Sequence, residues 1–547
     1  MKPNPGLVLA ALLFSFLLAG AAALPASASD PLAPGEIKVW ITLRDKGPST
    51  AGLTSGSRAS RAYEDKAVFE PYVQALGVLG LTCDTRLKWQ NRVSGRIAAG
   101  SLDRLRSLPF VAEVSLMPRK ARPAPLPQGP FPWTPDALAK RAAEGLEYGA
   151  GRPLMESLHV DKLHAWMTAT GLGAGKGVRI AVIDADFHLG SPIFDDMKTR
   201  IKDQYDFVEG KDAAVTSEFQ SSHGAQCMST IGGNLPGTLV GVAPEADFLL
   251  YRAEDNVRER YVEEDFVAAA IERAVDSGAQ VISISLGYRY EYDAEPDLAF
   301  SQFDGRTRPS SIAALGAARR NVVVSVSVGN LPLPSHIPAT GGTLSAPADA
   351  DSILAVGIVD RSRNKCSYSC TGPTADGRIK PEVASMGIGA GCVVAVAATG
   401  SRIAGVDQFA GTSFAAPVIS GIAALLRQLR PKASAETIRQ ALMRTAHRAE
   451  SPDILVGYGL VDAVEAAQRI GVPLIPPLAE HRVTRHYHSG GSGPILMEWL
   501  PGTSQPELEL VDVTGRRIPI TVRSLGAQLL VKPNHPLQTG VYIARIP

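Results

Sequence analysis

The stretch Gly411-Thr412-Ser413-Phe414-Ala415-Ala416-Pro417 opens a mostly apolar run, 418–429, and its reading decides the fold. The run predicts a buried helix with Ser413 at its N-terminal end. Free backbone N–H groups and the positive end of the helix dipole favour developing negative charge there. Pro417 fits only the first turn of a helix, where no N–H partner is required. Small neighbours leave room for a substrate carbonyl beside the hydroxyl. A serine in this place ordinarily caps its helix. Whether it is also a nucleophile depends on what the rest of the chain brings to it.

From about 154 to 471, strand and helix patterns alternate. Residues 179–184, 248–252, 280–286, 321–328 and 353–359 are near-continuous apolar runs, as expected of parallel strands covered on both faces. Helical patterns over 222–232, 264–277, 310–319 and 413–429 accompany them. The prediction is an α/β fold, a doubly wound parallel sheet over residues 151–472. Such sheets place their sites at the carboxyl ends of strands, where Asp184 falls.

Two smaller units flank this domain. Within 29–118, strand patterns at 37–43, 81–87, 92–98 and 111–116 and helical patterns at 65–79 and 101–107 follow the β-α-β-β-α-β order of a split βαβ unit. The 65–79 helix would turn Val68, Phe69, Tyr72, Val73 and Leu76 to one face. Such a unit fits either a ligand-binding domain or a pro-segment that covers an active site. Residues 119–150 are Pro-rich, with Arg119, Lys120 and Arg122, and read as an extended linker open to cleavage. A second break spans 473–481. Residues 482–547 then show short strands at 508–512, 517–523, 529–532 and 541–546, the pattern of a small β-sandwich.

At 547 residues the chain is long enough for about three domains, and 45% apolar residues allow a large core. A net charge of +1 gives no case for nucleic acid or an anionic membrane surface. Residues 1–28 read as a signal peptide: Lys2, an apolar run over 7–23, and Ala26-Ser27-Ala28 as a signal-peptidase site. No other stretch reads as a spanning segment of about 18 residues. The expectation is an exported protein, secreted or at the cell surface, with no transmembrane segment after signal removal. Five cysteines are present, and the odd count leaves at least one thiol without a partner in the chain. Cys366, Cys370 and Cys392 share one region, where one bridge is expected; a zinc site there lacks a fourth ligand.

Three stretches of the α/β domain belong together chemically. Val182-Ile183-Asp184 puts a carboxylate at a strand end, and Ser222-His223-Gly224 puts an imidazole at a helix start. Gly411-Thr412-Ser413 supplies a hydroxyl. A serine hydroxyl is a poor nucleophile at neutral pH, so an imidazole must take its proton, and the imidazole needs a buried carboxylate to fix its tautomer. A fourth stretch, Ser325-Val326-Ser327-Val328-Gly329-Asn330, ends a strand on an amide that can donate to a tetrahedral oxyanion.

With these residues the chain resembles the subtilases, the subtilisin-like serine proteases, whose chain order is also Asp…His…Ser. Supporting stretches are Gly241-Val242-Ala243-Pro244, Ser283-Ile284-Ser285-Leu286-Gly287, Gly372-Pro373-Thr374-Ala375-Asp376-Gly377 and Gly457-Tyr458-Gly459-Leu460-Val461-Asp462-Ala463. The resemblance implies Asp184 as orienting acid, His223 as general base, Ser413 as nucleophile and Asn330 as oxyanion donor beside the Ser413 N–H. Backbone at Ser285, Leu286 and Gly287 would hold a protein or peptide substrate as an added strand. Residues 29–118 resemble the subtilase inhibitor propeptide. Residues 482–547 resemble the sorting domain of the type IX secretion system, on Leu510-Val511-Asp512-Val513-Thr514-Gly515-Arg516 and Gly540-Val541-Tyr542-Ile543-Ala544-Arg545. The implied partners are thus the chain's own propeptide and a secretion machinery, and no cofactor is required. Calcium, which subtilases often bind, has candidate contacts at Asp195-Asp196 and Glu263-Glu264-Asp265, although solvated faces or helix-start charges are the simpler reading.

The sequence departs from the family at Ala185 and Asp186 after the aspartate, at Ala225 after His-Gly, and at Leu331-Pro332 after Asn330. Asp186, so near Asp184, would couple with it or face solvent. Cys227, one helical turn past His223, reads as a small core residue that would lie beside the base. Gly171-Leu172-Gly173-Ala174-Gly175-Lys176-Gly177 precedes its strand and matches no phosphate loop, and His486 and His488 read as exposed side chains. The alternative to a protease is a non-catalytic surface or binding protein on the same scaffold.

Overall fold

Apolar β-branched runs with no polar face can only be buried on both sides, and they form one seven-stranded sheet. The structure, a computed structural model, describes residues 33, 35–47, 58–117, 146–215, 223–255, 260–290, 296–330, 341–387, 393–397 and 406–474, together with strands and short links between 495 and 545. The sheet comprises β1 (Arg179–Asp184), β2 (Ile201–Asp206), β3 (Asp247–Arg252), β4 (Val281–Ile284), β5 (Val323–Ser327), β6 (Leu354–Val359) and β7 (Val383–Met386). Their order is β7-β6-β5-β4-β1-β3-β2, and every pairing is parallel. The chain reverses its direction of growth at β1, so the crevice beside the carboxyl end of β1 is where a doubly wound sheet takes its ligand.

Successive residues of a strand face opposite sides, so the sheet divides the interior in two. Ile180, Val182, Phe248 and Leu250 face one core, with helices α1 (His223–Gly232) and α4 (Ala415–Leu429). Ala181, Ile183, Leu249 and Tyr251 face the other, with α2 (Val262–Asp276) and α3 (Pro309–Arg319). Helix α4 is the expected buried helix, with Pro417 in its first turn. A 3₁₀ turn, Thr412–Phe414, precedes it, and Ser413 forms no capping bond for either helix. The stretch Thr412–Leu429 is long and apolar enough to cross a membrane, but it is the core helix of this domain and 89% buried.

β2 and β7 escape the apolar-run criterion. β2, Ile-Lys-Asp-Gln-Tyr-Asp, lies at an edge and carries charges, and β7 is only 4 residues long. The sequence pattern for a strand covered on both faces does not apply to an edge strand.

The N-terminal unit keeps the expected β-α-β-β-α-β order, with strands Glu36–Leu43, Thr82–Leu87, Arg92–Ala98 and Val111–Leu116 in one four-stranded sheet, and adds a short helix, Arg58–Glu64, after the first strand that the sequence pattern did not show. The helix expected over 65–79 is shorter: an α-helix runs only over Glu70–Val78. Pro71 lies in its first turn, the one place where a missing N–H costs nothing. Val68, Tyr72, Val73 and Leu76 are buried as predicted, and Phe69 packs beside them half-buried.

This unit docks on α2 through polar bonds to carboxylates. Trp40 Nε1 donates to Asp265 Oδ2 at 2.9 Å, and the backbone N–H groups of Lys88 and Trp89 donate to the two oxygens of Glu272 at 2.9 and 3.0 Å. Leu87 and Met117 are buried in the same core as Phe266 and Ile271. Glu263, Glu264 and Asp265 are therefore helix-start charges but not a solvated face: all three are fully buried. Glu263 accepts from the N–H groups of Asp255 and Arg260, and Glu264 pairs with Arg308 and Ser310.

At the C-terminal end two three-stranded sheets are described, one from Ile495–Glu498, Gln528–Pro533 and Ile520–Leu525, the other from Arg517–Ile518, Glu509–Asp512 and Tyr542–Arg545. The signal region, most of the 119–150 linker, and His486 and His488 lie outside the described residues. Gly173 and Gly175 stand in a turn held by protein groups: Glu245 accepts from the Ala174 N–H at 3.2 Å and Gln428 from the Gly175 N–H at 2.8 Å.

Glu272 is pushed up to about 7 from 4.5, because burial outweighs the opposing pull of the Trp89 and Lys88 N–H groups. Its contribution to docking is full below about 4.5 and is lost as the pH rises through about 7. Glu272→Ala leaves two N–H groups unpaired and should weaken docking by about 1–3 kcal/mol near pH 5, and by less above pH 7. Urea unfolding followed by Trp89 fluorescence reads that loss. The variant should also lose part of the pH dependence, Asp265, raised to about 6, keeping the rest.

Candidate active site

Three strand ends and one helix start converge. Asp184 is the last residue of β1, Ser285 follows β4, Gly329-Asn330 follow β5, and His223 opens α1. The start of α4 meets them from the same face of the sheet as α1: Ser325 Oγ donates to the Ala416 carbonyl at 2.9 Å, and Ser285 Oγ to the Ser413 carbonyl at 2.6 Å.

Asp184 is fully buried, and its Oδ1 accepts from His223 Nδ1 at 2.6 Å and from the Ala185 N–H at 2.8 Å. This bond assigns the Nδ1–H tautomer and leaves Nε2 as the basic nitrogen. His223 is half-buried. Burial works against its charged form, but the Asp184 carboxylate outweighs that and holds the imidazole well above 6.5. Ser413 is 8% exposed, and its hydroxyl donates to the Ser285 carbonyl at 3.2 Å.

Cys227 is both things expected of it, a buried core residue and a neighbour of the base. Its sulfur lies 3.8 and 3.9 Å from the two ring nitrogens of His223, hence against the ring face, and donates to the Ser413 carbonyl at 3.3 Å. Burial, then Asp184, pushes the thiol up to about 11, so it is uncharged at neutral pH and supplies contact rather than charge. Asp184, His223 and Cys227 bring potential ligand atoms within 4.8 Å of one another. The donor set is too small and too soft for calcium, which takes six to eight oxygens. Among the earlier calcium candidates, Asp195 pairs with Lys198 at 2.8 Å, and Asp196 accepts from Asn234 at 2.8 Å and faces Arg200.

Asn330 is exposed, and its amide is oriented from one side. The Thr412 N–H and hydroxyl both donate to Asn330 Oδ1, at 2.9 and 3.1 Å, which leaves Nδ2 as the outward donor. The Gly329 N–H donates in turn to the Thr412 hydroxyl at 3.2 Å. Gly329 has φ +106°, and a Cβ there would lie 2.9 Å from the Ser345 hydroxyl, so glycine is required. Thr412 was not singled out from the sequence; its place directly before Ser413 was the available signal. Ser285 and Leu286 are buried and Gly287 is exposed, so backbone is what residues 285–287 offer at the surface.

Asp186 neither couples freely with Asp184 nor faces solvent. It is 4% exposed and pairs with Arg252 at 2.8 Å. The same guanidinium reaches Asp206 at 3.0 Å and Glu209 at 3.5 Å. The Asp186 backbone carbonyl accepts from the Ala225 N–H at 3.3 Å, near the start of α1, and Gly224 packs so closely there that a Cβ would lie 2.8 Å from that carbonyl. Arg252 thus ties the Asp184 loop, the start of the histidine helix and the 206–209 turn together. The signal for it was a charged residue closing the apolar run 248–252. Leu331-Pro332 and Cys392 lie outside the described residues; Cys366 is disulfide-bonded, whereas Cys370 is free.

A family model described as the subtilase family matches residues 175–460. A thermophilic serine proteinase of Bacillus sp. (strain AK1) is 28% identical over 334 residues, which cover 61% of this chain and 69% of that protein. Subtilisin Savinase of Lederbergia lenta is 28% identical over 295 residues, 54% of this chain and 92% of that protein. A solved structure of MycP3 protease from the type VII (ESX-3) secretion system is 25% identical with a TM-score of 0.42, covering 58% of this chain and 88% of that one.

Removing one partner of a buried charge network leaves the others unpaired. Arg252→Met should therefore destabilise the domain by about 3–5 kcal/mol, since Asp186 and Asp206 lose their cation together. Asp186→Asn should cost less, because Asp206 and Glu209 still neutralise Arg252. Urea unfolding of the two variants beside the wild type checks the order.

Proposed function

As the chain belongs to the subtilase family and is a serine endopeptidase, we propose that Asp184, His223, Ser413 and Asn330 carry its chemistry. The observation that supports this most is the 2.6 Å bond from His223 Nδ1 to the buried Asp184, with the Ser413 backbone carbonyl held against the same helix by the Cys227 thiol.

In this reading a peptide adds as a strand along the backbone of Ser285, Leu286 and Gly287. A substrate N–H takes the Ser285 carbonyl, to which the Ser413 hydroxyl donates in the free protein. The freed hydroxyl then gives its proton to His223 Nε2 as Oγ attacks the scissile carbonyl carbon. Asp184 stabilises the imidazolium without taking its proton. The oxyanion accepts from Asn330 Nδ2 and the Ser413 N–H. His223 passes the proton to the leaving amine, and water, activated by the same base, hydrolyses the acyl-enzyme. No step needs a metal.

The wider biology belongs to the same proposal. Residues 1–28 direct export, to the medium or the cell surface, and residues 29–118 act as a propeptide that is later removed. The compact docking of that unit on α2 supports this role, as does the Pro-rich linker that follows it. Residues 482–547 act as a sorting domain for a secretion machinery.

A fluorophosphonate probe should label the wild type at Ser413 and leave Ser413→Ala unlabelled. Absence of both labelling and casein cleavage in the wild type would favour the non-catalytic binding reading. Asn330→Ala should lower kcat by about a hundred- to a thousand-fold with little change in KM, since its donor acts on charge that appears only in the transition state. The pure wild-type precursor should shed residues 29–118 on incubation, while Ser413→Ala retains them; an intact wild-type precursor refutes self-processing.

A further inference from the structure

We propose that Glu254 determines specificity: its carboxylate, standing beside His223, selects a lysine or arginine side chain of the bound peptide. The inference rests on the active-site reading above and adds a substrate class to it.

The position follows from the sheet. β3 runs parallel to β1 with Arg252 opposite Asp184, and the Ala253 N–H donates to the Asp184 carbonyl at 2.9 Å. Glu254, the next residue, leaves the strand end beside the Asp184–His223 pair and lies within electrostatic reach of His223, Asp184 and Asp186. It is half-buried, so its surface is not sealed off from solvent or a ligand. Its chain neighbour is tied down: Glu263, fully buried, accepts from the Asp255 N–H at 2.7 Å.

The neighbouring acids have partners, and Glu254 stands apart from them. Asp184 holds His223 and the Ala185 N–H. Asp186 holds Arg252, the nearest cation along the strand, whose remaining contacts go to Asp206 and Glu209. Among the described residues no hydrogen bond or ion pair joins the Glu254 carboxylate. Burial pushes it up to about 7, with His223 pulling the other way and the neighbouring carboxylates adding to the rise. A carboxylate desolvated to this degree without a cation is poised to gain from one that a ligand brings. A purely solvated loop acid would show neither the burial nor the displacement.

The test uses peptides that differ at one position, scanned through the four residues on the amino side of the cleaved bond, with Lys, Arg, Met or Glu at that position. At about pH 8.5 Glu254 is ionised, and in the wild type kcat/KM should favour Lys over Met by roughly fivefold or more at one position. Glu254→Gln should bring that ratio to about one, and Glu254→Arg should invert it in favour of Glu. An unchanged ratio in Glu254→Gln, or no cationic preference at any position in the wild type, overturns the inference. Should the variants fail to fold, salt decides: the wild-type Lys/Met ratio must fall as ionic strength rises, and a salt-insensitive ratio overturns the proposal. Fluorophosphonate labelling separates the two readings. A wild type that labels and cleaves without regard to charge sinks Glu254 alone; one that neither labels nor cleaves sinks the active-site assignment beneath it.

Discussion

The bond from His223 Nδ1 to Asp184 Oδ1, 2.6 Å long and out of contact with water on the carboxylate side, is the interaction on which the site depends. A buried carboxylate is costly unless it is paired and hydrogen-bonded. Here the fold supplies both conditions: the Ala185 N–H caps the same oxygen, and the imidazole gains the partner that fixes its tautomer. Everything nearby serves to keep that geometry. Cys227 fills the space under the ring, Gly224 lets the helix approach the Asp186 carbonyl, and Arg252 anchors the loop from behind.

One departure from the family pattern is accommodated through that anchor. Asp186 stands where the family has glycine, and Arg252 ends an otherwise apolar strand. Each alone would bury an uncompensated charge. Together, with Asp206 and Glu209, they form one network that neutralises itself and holds two catalytic segments in register. A buried ion pair is weak evidence for net stability but strong evidence for a fixed geometry, because few arrangements satisfy it. The N-terminal unit is held by a related device. Its backbone N–H groups end on carboxylates of α2, so docking places acids in a dry interface that become harder to ionise.

Much of this was legible beforehand, and for identifiable reasons. β1 matched its predicted bounds because its apolar run begins and ends on charged residues, Arg179 and Asp184. Helix α4 was legible because its small and apolar residues have no polar face. Edge strand β2 was not, since half-exposed strands mix Lys, Asp and Gln with Tyr. Pro71 could have corrected the 65–79 helix, being compatible only with a first turn. Glu263, Glu264 and Asp265 misled for the opposite reason: consecutive acids at a helix start usually meet solvent, but here a second unit and a neighbouring loop cover them.

By itself the sequence determined the order of the elements, the strand ends and helix starts that carry the chemistry, and the residue types available there. These depend on local periodicity and on which side chains can serve as acid, base, nucleophile or donor. Only the tertiary structure decided how those groups meet. It turned Asn330 outward through Thr412, paired Asp186 with Arg252 rather than with solvent, and left Glu254 without a cation beside the base. Such outcomes depend on distances between segments far apart in the chain, and they follow from the packing of a twisted parallel sheet rather than from any local pattern.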